Sequence, residues 1–575
     1  MSYMEKYNEW LTYEGLDNDL RKQLLDISSD EKEIEDRFYQ ELEFGTAGLR
    51  GKLGAGTNRM NKYVIARATQ ALANVIKKEG QEAMNRGVAF AHDCRIFSPE
   101  FAEIAALVMA SNGIRAYLFD SLRPTPELSY TVRYYKCISG INITASHNPK
   151  DYNGYKVYWE EGSQIKSNIS DAVFEEISKL DIFTNYVTLT KEEAIEKGLL
   201  VMIGKEVDEA FLAEVMNTSL RGPEELDMSI KLVYTPLNGA GNVPVRTVLE
   251  RKGYKNVYVV KEQEAPDGTF PTLVYPNPED LKAFEYSEKL AYEKDADILI
   301  ATDPDCDRLA VEVMHKGKIV PLNGNQTGVL LINYIVSTMK EKNIFPSNPV
   351  IVKSIVTGEM GQAVAESYGI EVMSVLTGFK NICAIANMYE ESKEKNYIFG
   401  YEESIGYNIG TFVRDKDGVS SALMLTEMAG YYKKQGKTLI DVLEELFKQF
   451  GYYKEKGISV VLEGMEGQQR IKRMMVEFRN IFPREINGTK VKTVTDYKVQ
   501  EVLDVETGVK SKIDVEATDA VKVYYEDGSW YTLRPSGTEP KIKLYIYVKD
   551  EVEARSKEKL EVFEKQVLEV LYSIK

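Results

Sequence analysis

Four short loops carry residue types whose spacing could do chemistry. In the first, Thr144-Ala-Ser-His-Asn-Pro149, the Ser146 hydroxyl stands beside His147, and Lys156 follows in Asn153-Gly-Tyr-Lys156. A serine is a weak nucleophile until a base or a charge activates it. The competing reading is a turn in which Ser146 caps the chain ahead of Pro149. No G-x-S-x-G elbow of a Ser-His-Asp hydrolase accompanies it. The second loop, Asp303-Pro-Asp-Cys-Asp-Arg308, places carboxylates at alternate positions. Three such groups can converge on one hard cation, and Mg2+ favours a few carboxylates plus a phosphate oxygen. An EF-hand would need Gly and Glu where Arg308 and Met314 stand; a solvated acidic turn is the alternative. The third loop, Gly400-Tyr-Glu-Glu-Ser-Ile-Gly-Tyr407, offers two carboxylates and a hydroxyl, groups that hold vicinal sugar hydroxyls or simply face water. Arg414-Asp-Lys-Asp-Gly418 supplies cations just downstream. The fourth, Arg534-Pro-Ser-Gly-Thr-Glu-Pro540, reads either as a phosphate cradle or as an ordinary Pro-Gly turn.

Two glycine-bearing stretches are decoys. Gly51-Lys52-Leu53 lacks the Ser/Thr of a P-loop and has Thr46 where the earlier glycine belongs. Gly239-Ala-Gly-Asn-Val-Pro244 ends on proline where a dinucleotide fingerprint needs its third glycine. Composition narrows the classes further. The net charge of −17 repels phosphate backbones, so nucleic acid is not the expected partner, although a local cationic pocket for one small phosphate is compatible with it. The four cysteines, Cys94, Cys137, Cys306 and Cys383, form no C-x-x-C pair, which fits a reducing compartment. Met1 to Glu14 contains no apolar h-region and no segment approaches ~18 consecutive apolar residues, so a cytoplasmic protein away from the membrane is expected.

The elements that must position these loops alternate along the chain. The first 40 residues read as one or two amphipathic helices. Strands are expected at Gly87–His92, Tyr117–Phe119 and Ser139–Thr144, with a helix behind Ser98-Pro99, Ser98 capping it. The alternation recurs from Lys231 to Ala301, with one helix over Pro278–Lys294, and again from Thr327 to Phe399. Strands alternating with helices of 10–15 residues indicate α/β layering. The last 120 residues differ: strands in runs, a hairpin across Asp527-Gly528 and a long closing helix indicate a smaller α+β domain. The expected domains are 1–205, 206–322, 323–452 and 453–575, each carrying one of the four loops.

In this order the loops resemble the α-D-phosphohexomutase family, and within it the phosphoglucomutase branch. The resemblance rests on Phe44-Gly-Thr-Ala-Gly-Leu-Arg-Gly51, Thr144 to Pro149, Asp303 to Arg308, Gly400 to Gly406 and Arg534 to Thr538, supported by Thr235 to Gly239, Pro266 to Pro271 and Thr377-Gly-Phe-Lys380. It implies four domains around a central cleft, three α/β with mixed sheets and a C-terminal α+β domain. It further implies a phosphoryl group carried by Ser146 and one Mg2+ per chain held by Asp303, Asp305, Asp307 and the phosphoserine. Proton transfer falls to His147, Lys156 and Lys416. Sugar contacts carry over to Glu402, Ser404 and Lys416, and further substrate contacts to Arg50, Arg308, Thr377 and Gly378. Arg534, Ser536, Gly537 and Thr538 match the grip on the non-reacting phosphate. The implied reaction interconverts glucose 1-phosphate and glucose 6-phosphate, with glucose 1,6-bisphosphate as intermediate and activator and small sugar phosphates as partners. Some relatives that accept mannose carry a histidine two positions after the sugar-loop serine, where this chain has Gly406, and Lys416 is similar to the glucose-directed branch. Pentose and mannose phosphates, net sugar-bisphosphate synthesis and a catalytically inactive sugar-phosphate sensor remain the alternatives.

The charges set a requirement. A phosphoserine carries about −1.5 to −2 near neutral pH. With three carboxylates and one divalent cation it leaves an excess of about −3, for which Arg308, Lys156 and Arg50 are the expected counter-charges.

Overall fold

The computed structural model describes residues 2–45, 48–462, 464–535 and 541–575. The chain divides into two compact units, Met1–Val352 with Phe379–Thr438, and Lys353–Gly378 with Leu439–Lys575.

The first unit opens with three helices, Tyr3–Thr12, Asn18–Asp26 and Glu31–Phe38, rather than one or two. Glu14-Gly-Leu-Asp17 breaks the first from the second, and Asp17 and Asp30 cap the second and third by accepting backbone N–H groups. Trp10 is buried edge-on against Phe38 and Phe183, which fixes this trio to the body.

A six-stranded mixed sheet follows, in the order Leu49–Lys52, Tyr152–Trp159, Ser139–Ile143, Val88–His92, Ala116–Phe119, Leu200–Ile203. Its central strands run parallel and the two at the Leu49 edge run antiparallel. Every residue of Val88–His92 is buried, as a parallel strand covered on both faces must be. Val88 and Phe90 enter the core shared with helix Ser98–Ser111, while Ala89 and Ala91 pack with Leu128 and Val132 of helix Thr125–Tyr134. Ser98 does not cap its helix. The cap position is Phe97, at φ 65°, and the Ser98 hydroxyl donates instead to Asp93.

A five-stranded sheet comes next, ordered Lys318–Leu322, Leu309–His315, Ile298–Thr302, Lys231–Thr235, Asn256–Val259. The expected helix over Pro278–Lys294 is a 3-10 turn, Leu281–Phe284, running into Glu285–Lys294. Asp280 caps that turn, which starts the helix later than its apolar spacing suggested. Still in the first unit, strand Asn396–Glu402 pairs antiparallel with Gly406–Ile409, and helix Gly418–Lys434 packs behind them.

The second unit is built on an eight-stranded sheet whose pairs are all antiparallel, with Tyr452–Val461, Lys541–Asp550, Trp530–Pro535 and Val521–Tyr525 as its first four strands. The hairpin turns at Asp527-Gly528, with Gly528 at φ 83°. Helices Gly464–Glu477 and Glu553–Ser573 cover the sheet over a core that includes Phe478, Leu533, Leu544 and Phe563. Among the described residues no helix is long and apolar enough to cross a membrane.

Candidate active site

The site lies at the carboxyl ends of the sheet strands, where α/β proteins place ligands. Strand Ser139–Ile143 runs out into Thr144-Ala-Ser146. The Ser146 backbone takes φ 52°, a left-handed conformation that costs a non-glycine residue about 1–3 kcal/mol. The Thr144 hydroxyl accepts the Ser146 N–H at 2.9 Å and donates to Asp93 at 2.6 Å. Ser146 is buried, and its hydroxyl donates to Asp303 Oδ2 at 2.6 Å, with His147 Nδ1 3.2 Å away. It is not a turn cap.

The Asp303–Arg308 loop joins two antiparallel strands, with Cys306 at φ 52° closing the turn by donating its N–H to Asp303. Asp303, Asp305 and Asp307 are buried, and each offers one oxygen within 4.8 Å of the others. Lys156 Nζ reaches Asp305 at 2.6 Å and Asp307 at 3.2 Å, and Lys416 Nζ reaches Asp307 at 3.3 Å and Asp415 at 2.9 Å. The Thr125 hydroxyl donates to Asp305 at 2.7 Å.

Two buried oxygens in this group, Asp305 Oδ1 and Asp307 Oδ1, have no hydrogen-bond partner. Unsatisfied carboxylate oxygens are costly, and an all-oxygen set of three carboxylates with a serine oxygen suits a hard divalent cation. The donor set therefore fits Mg2+.

The charges around the group are strongly perturbed. Burial pushes the Asp303 carboxyl well above the ordinary range, and the neighbouring Asp305 and Asp307 add to it. Burial acts the same way on Asp305, but Lys156 and Thr125 hold it below its ordinary value. Asp307 is also lowered: burial and Asp305 oppose this, but Lys156, Lys416 and Arg308 outweigh them. Burial disfavours the Lys156 and Lys416 ammonium groups, yet the carboxylates raise both. His147 is driven well below its ordinary value by burial and by the nearby Arg308 and Arg50, and so is held neutral.

The remaining expected residues divide between the two units. Arg50 is exposed on strand Leu49–Lys52 and donates to Asn148 at 3.1 Å, beside the Ser146 turn. Arg308 lies 3.9 Å from Asp307 and 3.8 Å from Glu279. The three expected counter-cations thus gather at the Ser146 and Asp307 loops. Glu402 ends its strand buried and Ser404 sits half-buried in the following turn, whose Ile405 carbonyl accepts the Leu309 N–H at 3.1 Å. That bond ties the third loop to the end of the second. A Cβ at Gly406 would stand 2.3 Å from Lys416 Cδ, so the lysine stem fills the space a side chain there would take. Thr377 and Gly378 are half-buried in the second unit, as is Arg534 on strand Trp530–Pro535 opposite Lys543. Ser536, Gly537 and Thr538 lie outside the described residues.

Sequence reasoning missed Thr125 and Asp93. Pro124-Thr-Pro126 and Asp93-x-Arg95 are faint signals, each visible as a polar residue directly after or between strongly structured segments.

Residues 41–182, 209–316 and 323–450 match the phosphoglucomutase/phosphomannomutase alpha/beta/alpha domains I, II and III, and residues 489–570 match the C-terminal domain of the same family. The chain is 37% identical over 542 residues to a phosphoglucomutase of Staphylococcus epidermidis, covering 94% of this chain and 96% of that one. It is 36% identical to a phosphoglucomutase of Staphylococcus haemolyticus, covering 89% and 91%. In fold it is similar to the open form of Paramecium pp63/parafusin, a phosphoglucomutase, with a TM-score of 0.67 at 17% identity, covering 92% of this chain and 95% of that one. With four ordered domain matches and identity of this extent, the chain belongs to the phosphoglucomutase/phosphomannomutase family, the α-D-phosphohexomutases.

Proposed function

We propose that this chain interconverts glucose 1-phosphate and glucose 6-phosphate, with Ser146 as phosphoryl carrier and glucose 1,6-bisphosphate as intermediate. The observation that carries the reading is the Ser146 hydroxyl, 2.6 Å from Asp303 in a buried three-carboxylate group flanked by Lys156 and Lys416. The names of the staphylococcal relatives point to the same activity. The division at 1–205, 206–322, 323–452 and 453–575 goes with this reading, each domain bringing one loop.

Phosphoryl transfer asks mainly for positioning and charge neutralisation. Asp303, Asp305, Asp307 and the Ser146 oxygen would hold one Mg2+, which supplies positive charge to the transferring phosphoryl group. When Ser146 gives up its phosphoryl group, its oxygen gains a proton while the accepting sugar hydroxyl loses one. His147 stands at hydrogen-bond distance from that oxygen. Lys156 and Lys416 keep Asp305 and Asp307 ionised and share the proton traffic on the sugar side. Arg50 and Arg308 balance the phosphate charge near Ser146. Glu402 and Ser404 hold sugar hydroxyls, Thr377 and Gly378 add substrate contacts, and Arg534, Ser536, Gly537 and Thr538 grip whichever phosphate is not reacting. The intermediate must then turn over, so that grip serves both orientations. Gly406 favours glucose over mannose here, because a histidine in its place would displace Lys416.

Initial rates on glucose 1-phosphate, mannose 1-phosphate and ribose 1-phosphate, with Mg2+ and a trace of the matching bisphosphate, test the proposal. Preference for glucose 1-phosphate is expected. Preference for ribose 1-phosphate or mannose 1-phosphate would overturn the sugar assignment, and no turnover of any would overturn the activity.

A further inference from the structure

Arg95 takes no part in the chemistry described so far, yet its guanidinium is buried directly under the Ser146 turn. Its side chain is fully enclosed. Nη2 donates to the backbone carbonyls of Ser146, at 2.6 Å, and Asn148. Nη1 donates to those of Pro149 at 2.8 Å and Tyr152 at 3.1 Å. Nε faces Asp93 Oδ2 at 3.3 Å, and the same oxygen accepts the hydroxyl of Thr144, two residues before Ser146. Phe270 covers the guanidinium at 5.1 Å. Gly268 allows that cover to close, since a Cβ there would stand 2.6 Å from Cys94 O and Ile96 N.

We propose that Arg95 is a positioning residue for the phosphoryl-carrying serine, its fork holding four carbonyls so that Ser146 keeps its left-handed backbone and its hydroxyl stays aimed at Asp303. The argument is one of strain and geometry. A serine at φ 52° persists only where its surroundings over-determine it. The planar guanidinium presents its donors in a fixed fork, and a lysine, with one compact ammonium, cannot bridge four carbonyls. Released, the turn relaxes and the Ser146 oxygen shifts, and a displacement of about 1 Å costs on the order of 100-fold in rate.

The inference rests on the proposed role of Ser146, and the test separates the two. Wild-type, Arg95→Lys and Phe270→Leu full-length proteins are incubated with labelled glucose 1,6-bisphosphate to charge Ser146, then assayed for turnover and for amide exchange over residues 144–152. Arg95→Lys should lower kcat by ~30–300-fold with KM within about twofold, slow the charging of Ser146 by a similar factor, and speed exchange in that segment alone. Phe270→Leu, a gentler change, should lower kcat by ~3–10-fold in the same pattern, and serves if Arg95→Lys fails to fold. Normal charging and kcat in Arg95→Lys, or loss of kcat only in proportion to global unfolding, would overturn the role of Arg95. No charging of Ser146 in wild type would overturn the proposed function instead.

Discussion

Replacing Lys156 with methionine removes one of the cations that hold the carboxylate group together, and the cost can be worked from the geometry. At an effective dielectric of about 20, unit charges at the observed 2.6 Å and 3.2 Å attract by about 6 and 5 kcal/mol. Desolvation of the ammonium offsets much of this, and breaking a buried pair typically costs about 3–5 kcal/mol, because the partner charge is left uncompensated. The first unit has roughly 400 residues, so its unfolding entropy of about 2 cal/mol/K per residue converts that loss to a Tm decrease of ~3–6 °C. The assay is calorimetry in EDTA on Lys156→Met, Asp305→Asn and the double variant. Removing the Asp305 charge as well should return much of the stability, giving a coupling energy of about 2–3 kcal/mol. Saturating Mg2+ should narrow the gap between Lys156→Met and wild type by binding the folded form. Additive losses in the double variant, or a Tm for Lys156→Met equal to wild type in EDTA, would refute the reasoning.

Ser146→Ala should fold as wild type and lose turnover by at least ~10⁴-fold, with no phosphoryl label retained on the protein; measurable label or activity near wild type would remove Ser146 as the carrier. Glu312, buried on strand Leu309–His315 with Oε2 unpartnered, is raised to about 8 by burial and by the charge of Glu288. The folded state therefore binds more protons than the unfolded one between the ordinary carboxylate value and about 8, so stability falls as pH rises through that window. Glu312→Gln should raise stability by about 1–3 kcal/mol at pH ~9 and by almost nothing at pH ~5, read from Tm at each pH. Gly406→Ala should lower kcat/KM for glucose 1-phosphate by ~10-fold or more through displacement of Lys416, with a Tm change under ~2 °C; unchanged kinetics would show that the lysine stem yields freely.

The loops were legible because each packs its chemistry into six to eight consecutive residues. The strand Tyr152–Trp159 was not. Its Asn153, Gly154 and Lys156 break the apolar pattern of a central strand, yet all three are buried, held between Leu49–Lys52 and Ser139–Ile143. The polar residues that hid the strand are there for the site: Lys156 emerges from it onto Asp305, and Asn153 donates to Ser98. Ser98 misled for a related reason, since its hydroxyl serves the Asp93 network rather than its helix. The amino-terminal helices and the break near Leu281 were misjudged because short amphipathic stretches with acidic caps fit several boundaries equally well.

By itself the sequence offered an inventory: four loops whose residue types suit a nucleophile, a divalent cation, sugar hydroxyls and a phosphate, in that order, the first three on alternating strands and helices and the fourth in a run of strands. It also set the sign of the requirement, an excess of negative charge needing cations. Only tertiary structure decided that Ser146 meets Asp303 across 157 residues of chain, that Lys156 and Lys416 share Asp307, and that Arg95 grips the serine turn from beneath. The physical reason is that residue type and short-range spacing are local properties, whereas convergence depends on which strand ends come to lie together. That is set by the packing of whole sheets and helices, whose apolar residues carry no record of the chemistry they position.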